Sequence, residues 1–468
     1  MVGVNPELGQ LALMNIEASV GRVIEYLPAL KVARVRLYGG LDGYRAATFT
    51  SRLAGVSFVE PNYVLTAYQA ETEAAPNDPG YAQQWALPKV QADRAWPLWS
   101  PKASTVIAIV DTGVAMNHPD LANKIYRNAS GQVIGYDFIN GDADPTDDHG
   151  HGTHCSGIAA GQVNNGVGMA GVAGWSGGPL SSDTNNTKIM PIKVLGANGS
   201  GSLSAVASGI TFAADNGAKV ISLSLGSTST ATTLANAVAY AWGKGCVVVA
   251  AAGNSGSSTM SYPAAYPNVI SVAATDNTDK LATFSNFSTW VNCAAPGVGI
   301  YSSVPGGGYA SWNGTSMAAP LVAGEVALLA SHAPNLSNAA LRDFVLNNTD
   351  PLRSFPGRTI RGGRVNVYKA IFAIRSLPAT PTNLSATPRS RTQITLTWTD
   401  SSTTPKNYVL ERSLDNVTFT TVATLATGAR TFTNSTLVAN RLYYYRLRAR
   451  NTYGFSEYSN TTSATTLP

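Results

Sequence analysis

The sequence predicts an α/β protein: a parallel β-sheet with helices on both faces, preceded by a small α+β segment and followed by an all-β sandwich. Two observations carry that expectation. Between Pro76 and about Ala373, the apolar runs Thr105–Val110, Lys188–Leu195, Ala218–Leu225, Cys246–Ala252 and Val269–Ala274 alternate with Gly-rich turns and helical patterns. Continuous apolar runs suit strands buried on both faces, and the helices between them are the crossovers a parallel sheet needs. After Leu377-Pro378-Ala379-Thr380-Pro381 the period becomes two: Ile394, Leu396 and Trp398 share one face, as do Tyr443, Tyr445, Leu447 and Ala449.

The elements follow in order. Residues 1 to about 74 alternate helical and extended patterns and end in Val59-Glu60-Pro61-Asn62-Tyr63-Val64, after which the polar, Ala-rich stretch Gln69 to Pro76 reads as a linker. The region 76–373 is the sheet-forming body, and in such sheets chemistry collects at the carboxyl ends of the strands. Residues 174–187 are rich in Gly, Ser and Asn and read as a surface loop. Residues 378–468 hold several short alternating strands, which indicates a sandwich. No repeat of 20 to 50 residues is evident.

The 468 residues suffice for about three domains at roughly 150 each. With 44% hydrophobic and 13% charged residues, the chain has too much apolar content for intrinsic disorder. The net charge of +5 is not spread evenly: residues 1–376 carry 23 basic and 23 acidic groups, and the remainder 9 against 4. A neutral body weakens any reading as a nucleic-acid binder. No apolar run approaches a bilayer span, the longest near Leu321 being broken by Glu325, and Met1-Val2-Gly3-Val4-Asn5 is unlike a signal peptide. Cys155, Cys246 and Cys293 are too few for a disulfide framework; whether Cys246 and Cys293 pair is open.

Three motifs follow or open predicted elements. Ile107-Ala108-Ile109-Val110 runs into Asp111-Thr112-Gly113; His151-Gly152-Thr153-His154 opens a helical stretch; Asn313-Gly314-Thr315-Ser316-Met317-Ala318-Ala319-Pro320 opens another. A serine hydroxyl is a weak nucleophile that needs a histidine to take its proton and a buried carboxylate to orient that histidine. Asp111, His151 and Ser316 supply one of each. A fourth run, Val247 to Asn254, is a buried strand whose terminal amide can donate to an oxyanion, alongside backbone N–H groups at the helix start.

Each motif has a plainer reading. A lone Asp-Thr-Gly also occurs in aspartic proteases, but no second one is present. His149, His151, His154 and Cys155 are zinc-ligand types. An Asn ending a strand is usually a turn former, and a Ser before small residues a helix cap. Co-occurrence in one order, Asp, His, Asn, Ser, within one sheet-forming region outweighs these.

On the motifs VDTGV, HGTHC, AAAGNSG and GTSMAAP, residues 76–373 resemble subtilisin-like serine proteases of the thermitase and proteinase K branches. The resemblance implies that Asp111 orients, His151 is general base and then acid, Ser316 is the nucleophile, and Asn254 with the Ser316 N–H forms the oxyanion hole. Leu321 departs from the His common after the Pro, a packing change. His154 is then a helix residue without a catalytic part and Cys155 a buried free thiol. Gly199-Ser200-Gly201 and Ser224-Leu225-Gly226 resemble the strands that bind an extended peptide by backbone pairing. Ala252, Gly253 and Ser261 would line the specificity pocket; none is acidic, so apolar or aromatic residues are expected before the scissile bond.

The same resemblance implies calcium. Asp78, Asp120 and Asn165, with the carbonyls of Gln162, Val167 and Met169, match a strong structural site; Asp137, Asn140, Asp142, Asp144 and Thr146 match a second, against the alternative of a solvated acidic loop. Residues 1–74 resemble an inhibitory prodomain, closing on Glu60-Pro61-Asn62-Tyr63, with self-cleavage expected between about Ala67 and Ala75. Its usual first strand is not evident before Pro6, so the chain is expected to begin inside a longer, secreted precursor. Residues 378–468 resemble a fibronectin type III domain, with Trp398 in the core and Tyr443 as corner tyrosine. Its Arg446, Arg448 and Arg450 read either as adhesive to an anionic polymer or as a solvated face. The expected partners are protein substrates, the chain's own prodomain and a polymeric or surface ligand of the tail. Two other readings stay open: a silent scaffold used for adhesion, and a metal-dependent hydrolase.

Overall fold

The computed structural model describes residues 2–5, 7–38, 46, 49–60, 75–175, 187–353, 355, 357–400 and 407–468. The motif residues Pro61-Asn62-Tyr63, most of the linker and of the expected cleavage window, and most of the loop 174–187 lie outside them. The chain forms two units, divided between residues 71 and 72.

The first unit is a four-stranded antiparallel sheet in the order β2-β3-β1-β4, built from β1 (Val2–Val4), β2 (Gly21–Leu27), β3 (Val32–Leu37) and β4 (Val56–Val59), with helix α1 (Gly9–Ser19). Val2, Ile16, Val20 and Ala46 form its core. The expectation of no strand before Pro6 is corrected here: Val2–Val4 pairs with both β3 and β4. Three residues are too few to display an alternation, so only pairing reveals the strand.

In the second unit, nine strands form one sheet in the order β14-β15-β11-β10-β9-β8-β5-β7-β6. They are β5 (Thr105–Asp111), β6 (Tyr136–Asp137), β7 (Thr187–Lys193), β8 (Val220–Leu223), β9 (Val247–Ala251), β10 (Ile270–Thr275), β11 (Cys293–Pro296), β14 (Asp350–Pro351) and β15 (Gly363–Arg364). All neighbours are parallel except β14 with β15. Period-two alternation divides the core between two faces. Ile107, Ile109, Val247 and Val249 pack under α2 (His151–Ala160), α5 (Thr315–His332), α6 (Asn338–Asn347) and α7 (Val367–Arg375). Val106, Ala108, Val248 and Ala250 pack under α3 (Leu203–Asp215) and α4 (Thr232–Gly243). A two-stranded ribbon of β12 (Ile300–Val304) and β13 (Gly308–Trp312) leads into α5.

The C-terminal part is the expected sandwich. Strands β16 (Thr382–Ser390), β17 (Gln393–Thr399) and β20 (Thr431–Asn434) form one sheet; β19 (Thr420–Ala426), β18 (Asn407–Ser413), β21 (Leu442–Arg450) and β22 (Thr462–Thr465) form the other. Ile394, Leu396, Trp398, Tyr408, Tyr445 and Leu447 fill the space between them. The Tyr443 hydroxyl accepts from Val438 N at 2.9 Å, which pins the corner.

Candidate active site

Each motif stands where an element starts or stops. Asp111 is the last residue of β5 and almost wholly buried. His151 is the first residue of α2, preceded by Gly150 at φ 106°. Their closeness depends on Gly152: a Cβ there would lie 2.1 Å from the Gly113 carbonyl oxygen, so any side chain would push the helix off the loop after β5. The result is a 2.7 Å hydrogen bond from His151 Nδ1 to Asp111 Oδ1, an oxygen that also accepts from Thr112 N. Burial works against the charged imidazolium. The Asp111 charge and hydrogen bond, helped by Asp147, outweigh it, and the His151 pKa lies above its ordinary 6.5.

Asp147 follows the acidic stretch Asp142–Asp144, and nothing in the sequence sets it apart from those acids. It is buried and accepts from Thr112 Oγ1, His149 N, Gly150 N, Thr153 N and Thr153 Oγ1, so it ties the end of β5 to the start of α2. The run of acids and histidines around it hides this, because Asp147 and the exposed acids look alike in sequence. A second unforeseen feature is Trp312, whose ring stacks on His154 at 4.4 Å and lies 6.4 Å from His151.

Ser316 occupies the second position of α5, and its Oγ donates to the Ser224 carbonyl at 3.2 Å. Asn254 follows β9, and its Oδ1 accepts from Thr315 N at 2.9 Å and Thr315 Oγ1 at 2.8 Å. Those two bonds fix the amide so that Nδ2 is left to donate elsewhere. His151, Asn254 and Ser316 line one cleft of about 810 Å3 together with Gly199, Ser200, Gly201, Ser224, Leu225, Gly226, Gly253 and Ser261. Among the described residues, none of its lining groups is a carboxylate. Ala252 is a correction. It lies in a small buried cluster with Ala273, Val291, Ala294 and Phe355, and Ala251 lines the cleft instead. The alternation of β9 carries past its end and turns Ala252 to the opposite side from Ala251 and Gly253.

The zinc reading of the histidines finds no matching geometry. Among the described residues, one group of three metal-ligand side chains converges, Asp111, His151 and Cys155, and it excludes His149 and His154. His154 Nε2 sits 3.0 Å from the Ala310 carbonyl, and burial first, with His151 adding, lowers its pKa to about 4, so it is neutral. The Cys155 thiol is 3.4 Å from the Ser316 carbonyl, and burial raises its pKa. Cys155, Cys246 and Cys293 are all buried and free.

Of the cation candidates, the structure brings the first set together. Asp78 and Asp120 are buried, neither is in an ion pair among the described residues, and Asn165 Nδ2 donates to Asp120 Oδ1 at 2.8 Å. The loop that carries the other candidates wraps them: Gln162 N donates to Asp120 O, Met169 N to Asp120 Oδ2, and Val167 N to Asn165 Oδ1. Burial, with the Asp120 charge adding to it, raises the Asp78 pKa against its bonds from Asn164 N and Asn165 N. The second set spends its oxygens on its own loop. Asp137 accepts from Ile139 N, Asn140 N and Asn140 Nδ2, Asp142 from Asp144 N, and Asp144 from Thr146 N and Oγ1. Its three carboxylates do not gather into a cluster.

In the sandwich, the three arginines of β21 are engaged rather than free. The Arg446 guanidinium lies 4.1 Å from the Phe419 centroid and 3.9 Å from Tyr458, and Arg448 lies 4.0 Å from Phe455 and 4.6 Å from Tyr458. Arg450 stands over Phe455 at 5.1 Å, and Glu411 accepts from Arg446, Arg448 and the Tyr458 hydroxyl.

Comparison with known proteins gives the family of each part of the chain. Residues 102–386 match the subtilase family and residues 379–465 the fibronectin type III domain. The chain is 46% identical over 317 residues, 68% of its length and 73% of the relative's, to the thermophilic serine proteinase of Bacillus sp. (strain AK1). It is 48% identical over 297 residues, 63% of its length and 99% of the relative's, to thermitase of Thermoactinomyces vulgaris. A solved protease of Pseudoalteromonas arctica superposes with TM-score 0.55 at 30% identity, covering 64% of this chain and 99% of that one. A buried carboxylate, the histidine it holds and a serine at a helix start thus stand in a chain whose body matches these peptidases, and the chain belongs to the subtilase family of serine endopeptidases, with a fibronectin type III domain at its C-terminal end.

Proposed function

We propose that Asp111, His151, Ser316 and Asn254 are the catalytic groups of a secreted endopeptidase made as a self-processing zymogen. The observation that carries this reading is the 2.7 Å bond from His151 to the buried Asp111, with His151 and Ser316 lining one cleft. Turning about its Cα–Cβ bond, Ser316 Oγ exchanges the Ser224 carbonyl for His151 Nε2. It then attacks the scissile carbonyl carbon as Nε2 takes its proton, and Asp111 holds the Nδ1–H and stabilises the imidazolium. The oxyanion meets Asn254 Nδ2 and Ser316 N. The imidazolium returns the proton to the leaving amine, an acyl-enzyme forms on Ser316, and water activated by His151 releases the acid. A serine-directed fluorophosphonate should label Ser316 in the wild type and not in His151→Ala. Labelling that survives the substitution would refute the roles. A silent scaffold predicts no adduct at all.

Specificity follows from the cleft lining. With no carboxylate among the described lining residues to pair with Lys or Arg, and with Leu203, Val206 and Leu234 among its walls, the cleft favours apolar or aromatic residues before the scissile bond. Faster cleavage after Arg or Lys in a peptide panel would overturn this. The backbone of Gly199–Gly201 and Ser224–Gly226 would pair with the extended substrate.

The domains are proposed as 1–74 for an inhibitory prodomain, 76–373 for the protease and 378–468 for the sandwich. Processing between Ala67 and Ala75 should disappear in Ser316→Ala, as read by intact-mass measurement. No described helix is long and apolar enough to cross a membrane. For calcium, Asp78 and Asp120 would be the charged ligands and Asn165 a neutral one. Two buried carboxylates with no basic partner among the described residues are the feature that fits a hard divalent cation, and binding asks the Asn165 amide to present its oxygen. When bound, the ion would neutralise the pair and tie Asp78, near the start of the protease domain, to the loop at Asn165. The Asp137 to Thr146 set is better explained as turn-forming acids. The tail is proposed to hold the enzyme on a polymeric surface ligand.

A further inference from the structure

A cleft of about 380 Å3 lies where the fibronectin type III domain meets the protease domain. That volume is in the range of small-molecule sites, which recur at domain junctions. One wall is α6, with Phe344; the other is the segment Tyr453–Tyr458 between β21 and β22. The junction has its own fastenings. Asn451 Nδ2 donates to the Ser376 carbonyl at 2.6 Å, and the rings of Phe372 and Tyr453 pack edge to face with centroids 6.1 Å apart. Gly454 packs so closely that a Cβ would lie 3.0 Å from Leu377.

The walls combine aromatic rings with polar atoms that have no hydrogen-bond partner among the described residues. Phe344, Tyr453, Phe455 and Tyr458 supply the rings. Glu457 Oε1, an acceptor, and Arg448 Nε, a donor, are buried with no hydrogen-bond partner among the described residues, and both residues line the cleft. Buried groups of this kind cost free energy until something bonds to them. From α6, the exposed Asp343 and Asn347 add a carboxylate and an amide.

Charge decides which ligand class fits. The Arg448 guanidinium is stacked on two rings and shares Glu411, so it has little charge left to offer. An anion would meet the carboxylates of Asp343 and Glu457. A purely apolar ligand would leave the unpartnered donor and acceptor stranded. A molecule with a C–H face and a rim of neutral hydroxyls meets the rings with the first and the polar groups with the second.

We infer that this cleft binds a neutral sugar unit of a glycan, with its C–H face on the aromatic wall and its hydroxyls bonded to Glu457, Arg448, Asp343 and Asn347. The site is far from the peptide cleft: Lys219, which faces Glu457, precedes β8, and Ser224 beyond the other end of β8 lines the peptide cleft, roughly 16 Å away at about 3.3 Å per residue. The enzyme can therefore hold a glycan and cut a peptide at once. This inference stands on the junction and not on the catalytic roles proposed above.

The test uses the full chain carrying Ser316→Ala, with maltose, cellobiose and N,N′-diacetylchitobiose as probes in calorimetry and saturation-transfer NMR. At least one probe should bind saturably below roughly 50 mM, with Asp343→Ala and Glu457→Ala each weakening it by about tenfold or more. If Glu457→Ala shifts the melting temperature, Asn347→Ala on the exposed helix face replaces it and should give the same loss. The inference is overturned if no probe saturates, if the variants at unchanged melting temperature bind as the parent does, or if dextran sulfate binds there and the neutral sugars do not.

Discussion

Glu325 gives a prediction that can be worked through from its surroundings. It lies in α5, nine residues beyond Ser316, fully buried, and neither carboxylate oxygen has a hydrogen-bond partner among the described residues. Burial, with the nearby negative charge of Asp350 adding to it, raises its pKa from 4.5 to about 8. The folded protein therefore binds a proton at Glu325 more tightly than the unfolded chain does. The stability this contributes is fully present below pH 4.5 and is lost as the pH rises through about 8. At about 1.4 kcal/mol per unit, the loss is about 3 kcal/mol by pH 7 and approaches about 4 to 5 kcal/mol above pH 8. Glu325→Gln keeps the shape and a polar end but cannot ionise, so it isolates this effect. Urea unfolding on a Ser316→Ala background, which suppresses autolysis, should show Gln matching Glu at pH 4 to 5 and exceeding it by about 4 kcal/mol at pH 9. Glu325→Leu should flatten the same pH dependence and add apolar burial. A Gln-minus-Glu difference that is the same at pH 5 and pH 9 would show that Glu325 does not titrate between them, and the reasoning fails.

Three further outcomes are expected. The acid limb of the kcat/KM profile should have its midpoint above 6.5, because His151 must be neutral to accept the Ser316 proton and Asp111 raises its pKa; Asp111→Asn should move that midpoint down. Asn254→Ala should lower kcat by about 10² to 10³ with little change in KM, a scale known from the equivalent donor in subtilisin rather than computed from this geometry; an unchanged kcat would remove Asn254 from the oxyanion hole. Chelation should lower the melting temperature, with added calcium restoring it, by roughly 2.7 kcal/mol of stability at a hundredfold excess over Kd. Asp120→Ala should abolish that dependence, and a melting temperature indifferent to chelator would remove the proposed site.

Much of the site was legible before any tertiary structure, and for a local reason. Asp111, His151, Asn254 and Ser316 stand at the ends of strands or the starts of helices, and short motifs specify those boundaries because glycines and small residues are needed for close approach, as Gly152 is against Gly113. The buried strands were legible from their continuous apolar character. What was missed depended on partners far away in the chain. Asp147 differs from Asp142 and Asp144 only in being buried beneath Thr112 and Thr153. Ala252 was assigned to the cleft because motif adjacency says nothing about which side of the strand end a residue faces.

By itself, the sequence determined the sheet architecture, the family-bearing motifs and the placing of the net charge in the tail, since periodicity, turn residues and charge counts are properties of local chain. Only the tertiary structure decided what each charge does. It left Glu325 without a hydrogen-bond partner among the described residues, set Asp78 beside Asp120, and stacked Arg446, Arg448 and Arg450 on aromatic rings, with Glu411 accepting from the first two. The physical reason is that the energy of a charge depends on its burial and on neighbours brought in from distant segments, which no count along the chain contains.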